Sequence, residues 1–131
     1  MLLDTSGLLA QLFSSEPQHS LALILFESTP RKLTHSYVLS ELVSLAQARK
    51  YPRVSVLGFV HDLLLHPQVE VVWVEEVLTR EALSLLEQRQ DKGYSLCDAV
   101  SFVLMRRFGF TEAITTDHHF EQEGFHRLLI P

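Results

Sequence analysis

The sequence predicts an α/β fold, a three-layer α/β/α sandwich around a central parallel sheet, carried by a single domain over residues 1–131. Three observations predict it. Short apolar or β-branched runs alternate with helical segments along the whole chain, which implies a parallel sheet with helices on both faces. The first ten residues already contain one such unit: Met1, Leu2 and Leu3 run into Asp4, then Thr5, Ser6 and Gly7, then an apolar helical pattern. The 131 residues, 47% of them hydrophobic, suffice for one domain with a sizeable core, and no repeat, low-complexity stretch or linker divides them.

The elements follow in order. A very short buried strand ends at Asp4, and a helix runs to Phe13 on the spacing of Leu8, Leu9, Leu12 and Phe13. Ser14 to Pro17 break it. Pro17 suits the first turn of a second helix, which carries Leu21, Ile24 and Leu25 and stops before Thr29-Pro30. Lys32 to Ser36 is a short strand. A third helix spans Tyr37 to Lys50, with Val38, Leu42, Leu45 and Ala46 on its apolar side, and Pro52 ends it. Arg53 to His66 is a fourth helix, with Val56, Leu57, Val60, Leu63 and Leu64 on one side, and Pro67 closes it. This two-helix insertion is the least regular part of the pattern. Val69 to Val74 is β-branched and aromatic, the strongest strand signal in the chain. Thr79 is the expected N-cap of a helix over Arg80 to Asp91, with Ala82, Leu83 and Leu86 inward and Gly93 after it. Ser95 starts a helix that closes at Gly109. Glu112 to Thr116 is a strand, Asp117 opens a loop or single turn, and His126 to Ile130 is the last strand.

Composition limits the function. The formal net charge of −5 argues against a protein that coats nucleic acid by basic charge alone, yet allows an enzyme that meets nucleic acid through metal ions. One cysteine, Cys97, forbids an internal disulfide and fits a reducing cytosol. No basic leader precedes the first leucines, and no apolar run approaches the roughly 20 residues needed to cross a bilayer. The expectation is a cytoplasmic protein with no membrane association.

Four carboxylates carry the chemistry. Asp4 follows the first strand, Glu41 lies early in the helix after the second, Asp98 lies in the first turn of the helix from Ser95, and Asp117 follows the fourth strand. In a parallel sheet all four gather at the carboxyl edge, where ligands bind. Crowded carboxylates repel and take up protons unless a cation compensates. Mg²⁺ or Mn²⁺ is the simplest compensation, and one or two such ions can drive phosphodiester hydrolysis. Each aspartate also has an ordinary structural reading. Asp4 and Asp117 sit at N-cap positions, and Ser95-x-x-Asp98 resembles a capping box. Glu41 is harder to read structurally, since Leu39, Ser40, Leu42 and Val43 flank it in a helix with few other charges.

Asp4-Thr5-Ser6 after the first strand, the isolated Glu41, the run Tyr94-Ser95-Leu96-Cys97-Asp98-Ala99 and the run Thr115-Thr116-Asp117-His118-His119-Phe120 together resemble the PIN domain. Within it they look most like the VapC toxin ribonucleases of bacterial and archaeal toxin–antitoxin pairs, and the resemblance spans the chain. It implies a compact PIN-like α/β/α fold and metal-dependent cleavage of RNA with Mg²⁺ or Mn²⁺. By motif, Asp4 and Asp98 are the expected direct metal ligands, and Asp117 completes the site directly or through water. Glu41 holds or activates the attacking water, and Ser6 and Thr115 are hydroxyls that support the site. The resemblance also implies a homodimer and a small antitoxin partner.

Other residues are read from their own surroundings. Arg49, Lys50 and Arg53 cluster around the Pro52 break and could meet an RNA backbone, or simply face solvent at a helix end. His118 and His119 are adjacent and so point differently, which suggests surface or loop packing. Cys97 reads as a small buried hydrophobe. Leu21, Leu25, Val56, Val60 and Leu64 exceed what a small sheet needs, and some could form a dimer or antitoxin interface. The competing functions are a catalytically silent PIN-like binding or regulatory module, a housekeeping PIN nuclease without an antitoxin, and a flavodoxin-like or phosphotransfer α/β domain. The last needs a late lysine, and the last lysine here is Lys92.

Overall fold

A computed structural model describes residues 1–130. Its elements are β1 (Leu2–Leu3), α1 (Thr5–Leu12), α2 (His19–Ser28), β2 (Lys32–His35), α3 (Ser36–Ala48), α4 (Arg53–Leu65), β3 (Val69–Val72), α5 (Glu76–Gln88), α6 (Leu96–Phe108), β4 (Glu112–Ile114), α7 (His119–Gln122) and β5 (His126–Arg127). The strands form one sheet in the order β3-β2-β1-β4-β5, every pair parallel. The expected architecture is the one observed. The chain leaves β1 toward β2 on one side and later returns to β4 on the other. The crevice between β1 and β4 is therefore the switch point of the sheet, where α/β folds bind ligands.

Side-chain alternation along each strand builds two cores. Leu3 and Ile114 face a cluster with Leu8, Leu9, Phe26, Val38, Leu42, Val56 and Leu63, contributed by α1 to α4. Leu2, Leu33 and Ala113 face the other side, with Leu78, Ala82, Val100, Phe102, Met105 and Phe120 from α5, α6 and α7. The register pairs Leu2 with Leu33 and Ala113, and Leu3 with Ile114. Gly7 lets α1 lie directly on β4: a Cβ there would sit 2.0 Å from the Ile114 carbonyl oxygen.

Four expectations need correction. The fifth helix begins at Glu76, with Glu75 and not Thr79 at its N-cap. The Thr79 hydroxyl instead donates back to the Glu75 carbonyl at 2.8 Å, a bond that suits the helix interior. Strand β3 ends at Val72, because the Val74 amide donates to Ser36 Oγ at 2.8 Å rather than to a neighbouring strand, and Trp73 is left exposed. Leu83 also faces solvent, and α5 buries Leu78, Ala82 and Leu85. On α4 only Val56 and Leu63 are buried, while Leu57 and Leu64 emerge on the outer surface beside Val54 and Leu65. Among the described residues no helix is long and apolar enough to cross a membrane.

Candidate active site

Asp4 is the N-cap residue of α1, yet its side chain caps nothing. It is buried, and its Oδ2 accepts a 2.7 Å hydrogen bond from the Thr115 hydroxyl, just past β4. With its proton given to Asp4, Thr115 Oγ1 accepts from the Asp117 amide at 3.0 Å and from Ser6 Oγ at 3.2 Å. Ser6 Oγ in turn accepts from the Thr116 amide at 3.0 Å. The hydroxyls of Ser6 and Thr115 thus stitch the start of α1 to the end of β4 and fix the Asp4 carboxylate over the crevice.

Asp98 enters from α6, which runs back toward the amino end of β4 and so starts at the carboxyl edge. Its capping box is real: Ser95 Oγ accepts from the Asp98 amide, and Asp98 Oδ2 accepts from the Ser95 amide, each at 3.0 Å. The structural role does not exhaust the carboxylate, because Asp98 Oδ2 also lies 3.4 Å from His119 Nδ1. Asp117 Oδ1 accepts from the His119 amide at 2.9 Å and lies 3.0 Å from His119 Nδ1. Sequence reasoning missed His119: the α7 turn points His118 outward and folds its neighbour inward against Asp98 and Asp117.

Electrostatics report the same crowding. Burial, with the Asp98 and Asp117 carboxylates adding to it, pushes Asp4 up to about 7 against hydrogen bonds from Thr115 and Thr5. Burial also raises Asp98, where Asp117 adds to the effect while the Ser95 amide and His119 oppose it. Burial raises the Cys97 thiol well above the usual range, helped by Glu41, Asp4 and Asp98, so this cysteine is an inert core group within reach of three carboxylates. Glu41 itself is exposed on the second turn of α3.

The donor set fits a divalent cation. Buried carboxylates that resist ionising beside one another are stabilised together by a hard cation with oxygen ligands. Asp4, Asp98 and Asp117 could offer oxygen ligands and His119 a nitrogen; the tightest grouping of ligand atoms, all within 4.8 Å of one another, is Asp117, His118 and His119.

The basic residues are partly committed elsewhere. Arg49 pairs with Glu16 at 2.7 Å, which Tyr51 also holds, and Arg53 donates to Gln47. Lys50 turns the chain with a φ of 61°. Arg49 nonetheless borders a cleft of about 350 Å³ with Ser6, Glu16 and Thr116, adjoining the crevice, whereas Lys50 and Arg53 line a separate one on α3 and α4.

Two buried polar arrangements beside the site had no sequence signal. His35, at the end of β2, bonds Ser101 one turn along α6 from Asp98, Nε2 to Oγ at 2.8 Å. Burial holds it neutral, pushed down to about 3. Glu123 receives Arg106 at 2.6 Å and Arg89 and the Tyr94 hydroxyl at 3.0 Å each. Burial alone would raise its carboxyl, but Arg89, Arg106 and Tyr94 outweigh that and hold it low.

Compared with known protein families, residues 1–125 match the PIN domain. The chain belongs to the PIN-domain family. Nucleases of this family generally use a divalent metal. This PIN domain is also 30% identical over 126 residues to "23S rRNA-specific endonuclease VapC20" from two strains of Mycobacterium tuberculosis, covering 95% of each chain. The crystal structure of Mycobacterium tuberculosis VapC20, described as a sarcin–ricin loop cleaving toxin, superposes with a TM-score of 0.85 at 30% identity, again over 95% of both chains.

Proposed function

We propose that this PIN domain is a Mg²⁺- or Mn²⁺-dependent endoribonuclease and the toxin of a toxin–antitoxin pair. The observation that carries the proposal is the meeting of Asp4 and Asp117 across the β1–β4 crevice through Thr115, with Asp98 joined to them through His119.

In this reading Asp4, Asp98 and Asp117 would hold the cation. When bound, such a cation would supply positive charge against the phosphodiester and its leaving oxygen. Glu41, exposed and free of the buried network, accepts the proton of the attacking water. The water attacks phosphorus in line with the departing 3′-oxygen, whose P–O bond breaks and which takes a proton from solvent, leaving a 5′-phosphate and a 3′-hydroxyl. Ser6 and Thr115 keep the Asp4 carboxylate turned toward the crevice. The cleft that Arg49 borders continues from Ser6 and Thr116 and suits a phosphate backbone leaving the site.

Ribosomal RNA is the first substrate to test, because the 30%-identical relatives act on 23S rRNA. The exposed Ile24, Val54, Leu57, Leu64 and Leu65 of α2 and α4 suit a protein partner, either a small antitoxin or a second copy in a homodimer. The deciding experiment is cleavage of a 23S rRNA stem-loop with Mn²⁺ or Mg²⁺. Wild type should cut and lose activity in chelator, and Asp98→Asn should lose 10²-fold or more, on the order of 3 kcal/mol of transition-state stabilisation. Equal cutting by both proteins, or cutting that survives chelation, sinks the mechanism.

A further inference from the structure

We infer that His119 is a nitrogen donor to this metal site and gives it a preference for Mn²⁺ over Mg²⁺. The inference rests on the metal-dependent reading above and deepens it.

Three observations aim the ring. Its Nδ1 lies 3.0 Å from Asp117 Oδ1 and 3.4 Å from Asp98 Oδ2, so one nitrogen faces two carboxylates that come from different elements. The Tyr94 ring meets it edge-on at 5.4 Å and 73°. Nε2 lies on the Gly93 side, 3.6 Å from where a Cβ would stand there, while Nδ1 is the nitrogen turned to the cluster. The side chain is only 21% exposed, against 62% for His118, so the two neighbours have different surroundings.

The chemistry follows from the donor type. The Asp98 and Asp117 carboxylates already oppose ionisation of buried Asp4, and Asp117 opposes that of Asp98; a fourth carboxylate would add to that repulsion. A neutral imidazole adds a ligand atom without adding negative charge. Mg²⁺ prefers oxygen donors and gives up its water reluctantly, whereas Mn²⁺, the first ion of the transition-metal affinity series, tolerates an imidazole nitrogen better than Mg²⁺ does. A site with one nitrogen among carboxylates is thereby biased toward Mn²⁺. Tyr94, which packs edge-on against the ring, positions it for that role.

The test reads the metal, not the reaction. Mn²⁺-loaded protein is examined by pulsed electron paramagnetic resonance for ¹⁴N modulation, and Mn²⁺ and Mg²⁺ affinities are compared by calorimetry. Wild type should show imidazole ¹⁴N coupling that changes to the ¹⁵N pattern when the protein is made with ¹⁵N-histidine. His118→Asn should keep the coupling; His119→Asn should lose it and reduce the Mn²⁺/Mg²⁺ affinity ratio about tenfold or more. Bound Mn²⁺ without nitrogen coupling in wild type overturns the role of His119 and leaves the metal site standing. If wild type binds neither cation, or Asp98→Asn binds Mn²⁺ as tightly as wild type, the metal-dependent reading falls and this inference with it. The labelling arm needs no variant, so a misfolded His119→Asn cannot shield the idea.

Discussion

Asp4 shows at the scale of one residue how burial makes a carboxylate sensitive to pH. Its carboxyl titrates near 7 in the fold and near 3.8 when unfolded, so between those values the folded chain holds the extra proton. The stabilising contribution of Asp4 is complete below about pH 4 and is lost as pH rises toward 7, on the order of 4 kcal/mol at about 1.4 kcal/mol per pH unit. Asp4→Asn removes that dependence. In chelator the variant should match wild type near pH 4 and become progressively more stable than wild type up to pH 7, measured by urea unfolding at a series of pH values. A stability difference that stays flat with pH contradicts the assignment. Comparison with the variant is needed because His35 works in the opposite sense: its contribution is present above pH 6.5 and declines as pH falls toward 3. Glu123 makes a separate residue-scale case. Glu123→Gln keeps the shape but discharges the acceptor shared by Arg89, Arg106 and Tyr94, and should cost about 2 kcal/mol in thermal or urea unfolding, within the range for buried charge-assisted bonds. A loss under a few tenths of a kcal/mol would mean that solvent already screens the two half-exposed arginines.

At the scale of elements, the site depends on how closely α1 lies on β4. Gly7 permits that approach, and Ser6 and Thr115 exploit it. Gly7→Ala drives a methyl group into the Ile114 carbonyl and must push the helix off the strand. The expected cost is about 3 kcal/mol or more, at the upper end for overpacking, together with a fall in cleavage rate larger than the lost folded fraction explains. Normal activity in the folded variant would show that the Asp4–Thr115 contact tolerates the shift. The α6 capping box works differently. It belongs to the helix start alone, yet by orienting Asp98 it also turns that carboxylate toward His119.

At the scale of the whole molecule, acidic groups from both halves of the chain meet at one crevice, and a cation that binds there should stabilise the entire fold. With Mn²⁺ at about a hundred times its dissociation constant, linkage adds about 2.7 kcal/mol. For a domain of this size that raises Tm by on the order of 10 °C. The rise should be larger at pH 8 than at pH 5, because protonated Asp4 binds no cation, and it should shrink in Asp98→Asn. A scanning-calorimetry shift of equal size at both pH values, or an unchanged shift in the variant, argues that the ion binds elsewhere.

Much of this was legible in the sequence. The alternation of strands and helices, their order, and the placing of Asp4, Asp98 and Asp117 near one edge follow from local signals: apolar period, caps, and the proline and glycine stops. These depend on neighbours a few residues away, and so the sequence alone determines them. Tertiary structure decided the rest, because the partners lie far apart along the chain. Only the β3-β2-β1-β4-β5 order makes a switch point of the β1–β4 gap, and only there does Thr115 reach Asp4 across 111 positions. His118 and His119 are identical in type and adjacent, so no pattern separates them; the α7 turn does, because it turns one ring to solvent and the other to Asp98. The Glu123 cluster is likewise invisible in sequence, since Arg89, Tyr94 and Arg106 come from different elements. On α4 the surplus of apolar residues was visible, but which of them face outward was set by what α3 and β3 could cover.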